Sequence, residues 1–499
     1  MASDSVEKKV SQPDQRPPEE VEVKLGITMS TIDEKALVKK IDRHILPLMF
    51  GAYMLQFLDK TALGYTAIFG LQEDLKLVGN QYSWASSAFY FGYLAASYPV
   101  AICLVKFPLS RFLGFTFLAW AVVLSCHAAA QNFTGLMILR TLLGVLEAGI
   151  TPGLSMMTAI WYKRSEHGSR HGVWFAGNST AAIFGGLLGF GIAHIKNSVA
   201  SWRWIFIIFG ILTFAYGILF LMLLPDSPRT AWFLNEDERE PAYQRPQQET
   251  RSTIDHKWST SEFIEALIDL KTWLIFIATV ASCIPNGGLT SFGSIIVASF
   301  GFSVFNTLLL QIPASVFALF YVASSSIFVS RVRYSRCLTA ATMYLISLAG
   351  SLMMSQISPE NKVARLAGIW LFGAFAAAHP ITLSIVASNV GGYTKKATVS
   401  AVLFIGYCTG NIIGPFLFFS YEAPSYESAW VGIMISLGIA VCAMIALRQL
   451  CTFLNQQRDR QQGVHIDPEV KDPASQTTQV VVETRNETDW KNARFRYYL

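Results

Sequence analysis

Long apolar runs alternate with short polar turns along most of the chain. Twelve of them reach the roughly 20 residues that a helix needs to cross the hydrocarbon of a bilayer, at 45–69, 82–105, 109–130, 134–160, 172–194, 203–224, 273–298, 303–329, 337–356, 366–390, 397–420 and 429–451. The pattern predicts an all-α integral membrane protein with 12 transmembrane helices. Polar stretches divide it: a tail over 1–43, a six-helix bundle over 44–224, a central loop over 225–272, a second six-helix bundle over 273–452 and a second tail over 453–499. The first tail contains "SQPDQRPPEE" and offers no apolar core of a signal peptide, so it reads as a disordered tail. "TIDE" reads as a helix start, with Thr31 as cap and Glu34 three residues on. In the central loop, "NEDERE" starts like a capped helix at Asn235, and "PAYQRPQQ" is expected to interrupt it.

Composition agrees with the pattern. Hydrophobic residues make up 52% of the chain and charged residues 15%, against about 25% charged in ordinary soluble domains. Lys and Arg fall unevenly in the turns. Lys106, Arg111, Lys163, Arg164, Arg170, Arg331, Arg333, Arg336, Lys395 and Lys396 share one side with both tails and the central loop. The other side has Lys76, Lys196, Arg203, Lys362 and Arg365, with acids such as Glu73, Asp74, Glu422 and Glu427. Positive charge retained on the cytosolic side puts both termini there. The plasma membrane is the expected location. The net charge of +5 follows from this asymmetry and calls for no nucleic-acid partner.

The two bundles also resemble each other. At an offset of 229 residues, Gly177, Thr180, Ile183 and Gly185 recur as Gly406, Thr409, Ile412 and Gly414, and Pro152 falls within one residue of Pro380. Parallel six-helix repeats describe the major facilitator architecture, with a central site between the halves. Gly185, Gly189, Gly406, Gly410 and Gly414 form small-residue faces for close helix packing.

Four charges lie inside the runs: Asp59 and Lys60 in "FLDKTALGY", Arg140 and Glu147 in "LRTLLGVLEAG". Each costs about 2.5–3.5 kcal/mol at mid-membrane on insertion scales, so they are expected to face the interior and one another. Two acids and two bases sum to zero, so an empty site can pair internally. Once Asp59 or Glu147 takes a proton, the cluster becomes positive and accepts an anion at Lys60 and Arg140. Proton and anion binding then favour each other, which is the thermodynamic core of symport. The competing reading is structural: two salt bridges joining the first and fourth helices. The second bundle offers Asn286, Gln311, His379, Asn389, Tyr407 and Asn411 at mid-membrane, and His379 and Asn411 are its candidate substrate contacts. Packing roles compete there too.

"FLDKTALGY", "LVGNQYSWASSAFYFGYLAASYP", "LRTLLGVLEAGITPG", "WYKRSEHGSRHGVWFAGNS", "LPDSPRTAWFLNEDE", "LLLQIPAS", "GNIIGP" and "FRYYL" resemble the fungal allantoate permease family, in the anion:cation symporter branch of the major facilitators. The resemblance covers nearly the whole chain. It implies proton coupling at Asp59 and Glu147 and anion binding at Lys60 and Arg140. It also implies a substrate among small carboxylates such as allantoate, nicotinate or pantothenate. The related sugar-acid carriers have Arg where this chain has Lys60, which puts a bidentate grip there in doubt. "LVKFPLSRFLG" keeps only Lys106 and Arg111 of the usual basic loop, and these two are expected to gate the cytosolic face.

The remaining signals narrow the class. Seven cysteines lie in or beside apolar runs without a C-x-x-C pattern and read as packing residues. "NFT" at Asn132 is a glycosylation acceptor on the outer side, close to the membrane. No phosphate-binding loop, metal constellation or nucleophile set is present in the sequence, so no cofactor is expected and an enzyme is disfavoured. The expectation is a proton-coupled carrier of a small organic anion, acting as a monomer in the bilayer. An exporter of an endogenous metabolite on the same fold is the alternative, and a non-transporting nutrient sensor a weaker one, since the tails are short.

Overall fold

The structure, a computed structural model, describes residues 33–192, 194–195, 198–250, 258–358, 360–463 and 487–499. Among them, twelve long helical spans fall into two sets of six. The first set is Glu34–Ala67, Gln81–Lys106, Leu109–Ala129, Phe133–Trp161, Glu166–Ile192 and Ser201–Leu223. The second is Leu270–Ser299, Val304–Arg331, Arg336–Gln356, Lys362–Asn389, Tyr393–Leu417 and Glu427–Gln462. Eleven are long and apolar enough to cross a membrane. The first span falls outside that group, its apolar run being diluted by Gln56, Asp59, Lys60 and Thr61. Thr31 lies outside the described residues. Asp33 caps the helix that begins at Glu34, its carboxylate accepting from Lys35 N.

The internal repeat is visible as matched defects. Span four is interrupted between Glu147 and Ile150, and span ten passes through a 3-10 turn at Gly373–Ala377. Each interruption lies just before a proline, Pro152 or Pro380, whose missing N–H frees the carbonyl four residues earlier. Glycines serve close approach in both halves. A Cβ at Gly177 would lie 2.8 Å from Phe50 O of span one, and Cβ atoms at Gly410 and Gly414 would collide with Val280 O and Ile284 O of span seven. Spans five and eleven therefore approach spans one and seven backbone to backbone.

The central segment departs from expectation. Instead of stopping at "PAYQRPQQ", the helix runs from Glu236 to Thr250 with Pro241 and Pro246 inside it. Tertiary contacts outweigh the two lost backbone bonds. Arg245, almost fully buried, donates to Glu34 at 2.8 Å and to Glu166; Lys40 reaches Glu238 at 2.5 Å, and Lys163 reaches Glu34 at 2.6 Å. The helix is a brace beneath the first half, at the end where the first span begins. That end is called the terminal end below, and the opposite one the far end. Since Arg245 alone links the brace to two carboxylates, Arg245→Ala is expected to raise amide exchange about tenfold over 236–250, an opening cost lower by about 1.4 kcal/mol, while leaving the spans unchanged. Hydrogen-exchange mass spectrometry checks this.

Candidate functional site

Span one carries Asp59 and Lys60 without a break in its helix, and consecutive helical residues point about 100° apart. They therefore serve different surroundings. Asp59 is fully buried against span six, where the Thr213 hydroxyl donates to Oδ2 at 3.2 Å and Oδ1 has no hydrogen-bond partner among the described residues. Lys60 turns toward span two, its ammonium 5.3 Å from the Phe89 ring centre and 5.2 Å from that of Tyr93. These aromatic faces attract the cation without neutralising it.

Arg140 and Glu147 are buried on span four. Among the described residues, Nε and Nη2 of Arg140 and both carboxylate oxygens of Glu147 have no hydrogen-bond partner, although Gln56 Nε2 approaches the Glu147 backbone oxygen at 3.4 Å. Among the described residues, no ion pair joins any two of Asp59, Lys60, Arg140 and Glu147. The expected internal pairing is thus absent from this conformation, and so are the two salt bridges of the structural reading. Within each helix, geometry keeps the charges apart: seven residues separate Arg140 from Glu147, a rise of about 10 Å, and Asp59 and Lys60 are neighbours that point apart. Across the helices, Asp59 is engaged by Thr213 of span six and Lys60 by the rings of Phe89 and Tyr93 of span two. Lys60 and Arg140 nevertheless line one small cavity, of about 10 Å³, with Leu63, Ser86, Phe89, Tyr90, Thr290 and Ser291. Two cations of the first half thereby face hydroxyls of span seven.

His379 and Asn411 are not part of that lining. His379 sits 5.9 Å, ring to ring, from Tyr407, which also neighbours Tyr90 at 6.1 Å. Asn411 is engaged within its own half: its Oδ1 accepts from Asn286 Nδ2 at 2.7 Å and its Nδ2 donates to Tyr407 O at 2.8 Å. Lys106 and Arg111 are exposed at the terminal end. Arg111 lies 3.7 Å from Asp226, a carboxylate that also accepts from Ser110 N at 2.9 Å and ties the turn after span two to the end of span six.

The sequence reading missed the contact between the halves. In "YSWASS", Tyr82, Ser83, Ser86 and Ser87 put four hydroxyls on one face of span two, a stripe that spacing alone could have shown. Tyr82 donates to Leu63 O at 3.2 Å and to Ser291 O at 2.8 Å, Ser83 to Pro415 O at 2.8 Å and Ser87 to Ile412 O at 2.8 Å, while Ser86 meets the Ser291 hydroxyl. Gly64 lets span one lie against Thr290 O, where a Cβ would be 2.8 Å away. These contacts all belong to the far end. At the terminal end, the ion pairs among described residues stay within one half or join it to the central or final segment. A second aromatic link, Tyr93 stacked on Phe404 at 5.4 Å, lies near mid-depth.

Comparison with known proteins places this architecture. The family model described as Major Facilitator Superfamily matches residues 49–415. An uncharacterized transporter of Schizosaccharomyces pombe is 38% identical over 79% of this chain and 78% of its own. The allantoate permease of Saccharomyces cerevisiae is 33% identical over 95% of this chain and 88% of its own, and a thiamine pathway transporter of that yeast is 30% identical over 85% and 81%. Among solved structures, a proton:xylose symporter superposes with a TM-score of 0.63 at 14% identity, covering 83% of this chain and 96% of its own. An inward-facing bacterial homolog of the lysosomal transporter Spinster gives 0.58 at 15% identity, covering 82% and 95%. At such identities the likeness concerns the fold.

The hydroxyl stripe makes a testable statement. Tyr82→Phe with Ser86→Ala removes the Tyr82 and Ser86 bonds, worth about 2 kcal/mol together, and is expected to favour separation at the far end by roughly thirtyfold. A cysteine placed at Thr290 should then react faster with a membrane-impermeant reagent added from the far side. An unchanged labelling rate would remove the stripe from the closure.

Proposed function

The chain belongs to the major facilitator superfamily, and from that premise we propose that it is a proton-coupled symporter of a small organic anion, working by alternating access at the plasma membrane with both termini in the cytosol. The observation that carries this reading is the pairing state of the four charges within the spans. Lys60 and Arg140 line one cavity between the halves, while Asp59 and Glu147 are buried without ionic partners.

Such a set is costly as it stands, because unpaired charges away from water lose their solvation. The cost falls when a carboxylate binds between the cations, and it falls further when Glu147 or Asp59 takes a proton. Each event lowers the free energy of the other, so the two are linked reciprocally. Thr213 holds Asp59 on the side of span one turned away from the cavity, which suits a proton site that the substrate does not touch. Glu147, with both oxygens free, is the acid whose state the anion would sense most directly. Lys60 supplies a point charge cushioned on Phe89 and Tyr93, and Arg140 supplies the planar grip for a carboxylate. The relative named allantoate permease supports a carboxylate cargo. On the second half, His379 and the remaining hydrogen-bonding capacity of Asn411 would contact the uncharged part of the substrate. Lys106 and Arg111 would gate the cytosolic face.

Labelled carboxylates supplied to cells lacking their own carriers test the reading, at about pH 5 and about pH 7.5, with a protonophore control. Accumulation at acid pH that collapses with the protonophore is the expected result. Asp59→Asn and Glu147→Gln are each expected to abolish accumulation in protein that still reaches the membrane, and normal pH-dependent accumulation by either variant would exclude that acid from coupling. Arg140→Ala should weaken apparent affinity about tenfold or more, the value of a charge-assisted bond. Surface-localised protein that takes up nothing, yet drives efflux from preloaded cells, would make it an exporter.

A further inference from the structure

The terminal end of the second half holds a second cluster of buried charge, and it is paired throughout. Lys395 is fully buried and reaches Glu265 at 2.8 Å, Asp269 at 2.9 Å and Asp489 at 2.7 Å; Lys271 reaches Asp489 at 2.6 Å and Asp269 at 3.3 Å. Asp489 comes from residues 487–499, which fold back over the ends of the spans. Burial pushes its carboxyl up, but Lys271 and Lys395 outweigh that and hold it below the ordinary carboxylate range.

The mode of contact is that of a receptor reading a peptide. Two asparagines each exchange a pair of bonds with the segment's backbone. Asn389, at the end of span ten, donates to Tyr498 O and accepts from Tyr498 N, both at 2.8 Å. Asn455, on span twelve, does the same with Tyr497 O and N, again at 2.8 Å. Arg458 donates to Phe495 O at 2.6 Å and to Asp489 O at 2.7 Å. The Tyr497 ring lies under the Lys271 ammonium at 3.7 Å, its hydroxyl donates to Asp489 at 2.8 Å, and Leu499 O accepts from Arg336 N at the start of span nine at 2.9 Å. Gly391 leaves room for the crossing backbone, since a Cβ there would lie 2.8 Å from Asp489 N.

We infer that this face of the second half is a peptide-recognition site and that Glu487–Leu499 is its resident ligand, a strap joining the terminal ends of spans seven, nine, ten, eleven and twelve into one unit. Recognition has three parts. Asp489 is an acidic hook for two buried lysines, Asn389 and Asn455 read two successive backbone units, and the rings of Tyr497 and Tyr498 seat beneath Lys271 and Arg336. With the hook removed, Lys271 keeps only Asp269, and the two amides face an empty groove. The five span ends then lose their shared anchor. The inference is independent of cargo and of proton coupling.

Hydrogen exchange on the full-length protein in lipid nanodiscs tests it, without substrate. In Asp489→Lys, which sets a cation against Lys271 and Lys395, exchange is expected to rise about tenfold or more at 487–499 and at 271–275, 336–340, 388–396 and 455–462, with 236–250 unchanged. A synthetic peptide of residues 487–499 added in excess should restore slow exchange at those four sites, and the same peptide carrying Asp489→Lys should not. Asp489→Asn and Asn455→Ala, which keep size or charge, should give the same pattern at smaller amplitude if the lysine variant does not fold. Unchanged exchange, a rise spread evenly over both halves, or a wild-type peptide without effect would each overturn the inference.

Discussion

A charge inside a membrane-spanning bundle has given up water, and the rest of this structure is arranged around how that loss is met. At the terminal end of the second half it is met by saturation: Lys271 and Lys395 lie among three carboxylates, Glu265 and Asp269 from the stretch before span seven and Asp489 from the final segment. At mid-depth in the first half it is left open: Arg140 and Glu147 are as buried as Lys395 and have no ionic partner among the described residues. Two ion clusters of similar burial thus differ in kind. One is a fastener, complete in itself. The other leaves charged atoms without partners among the described residues, and burying them so costs stability.

The fold was largely legible from apolar run length, because bilayer thickness imposes one helix length and water-filled turns impose the rest. The two-fold repeat was legible from glycines and prolines, since Gly177 and Gly414 mark close backbone approaches and Pro152 and Pro380 follow helix interruptions. The central helix was misread for the opposite reason. Local chemistry at Pro241 and Pro246 argued for a break, and distant partners, Glu34 and Glu166, overrode it. The final segment was readable as a motif in "FRYYL" but not as a docked strap, because its receptor is assembled from five separate helix ends.

At the site, the residue types were legible and their pairing was not. Opposite charges in one membrane invite the inference of salt bridges, yet a helix points Asp59 and Lys60 to different neighbours and spaces Arg140 and Glu147 two turns apart. Asn411 illustrates the reverse case. It looked available from its position, and Asn286 already occupies its carbonyl oxygen.

The far-end contact has a consequence for how such a protein can diverge. Its donors are side chains of span two, and most of its acceptors across the seam are main-chain carbonyls of the second half: Ser291 O, Ile412 O and Pro415 O. A carbonyl is present whatever residue carries it. The second half can therefore exchange residues around the seam without cancelling most of the bonds that shut this end. Side-chain drift on one side and closure on the other are thereby placed under largely separate genetic control.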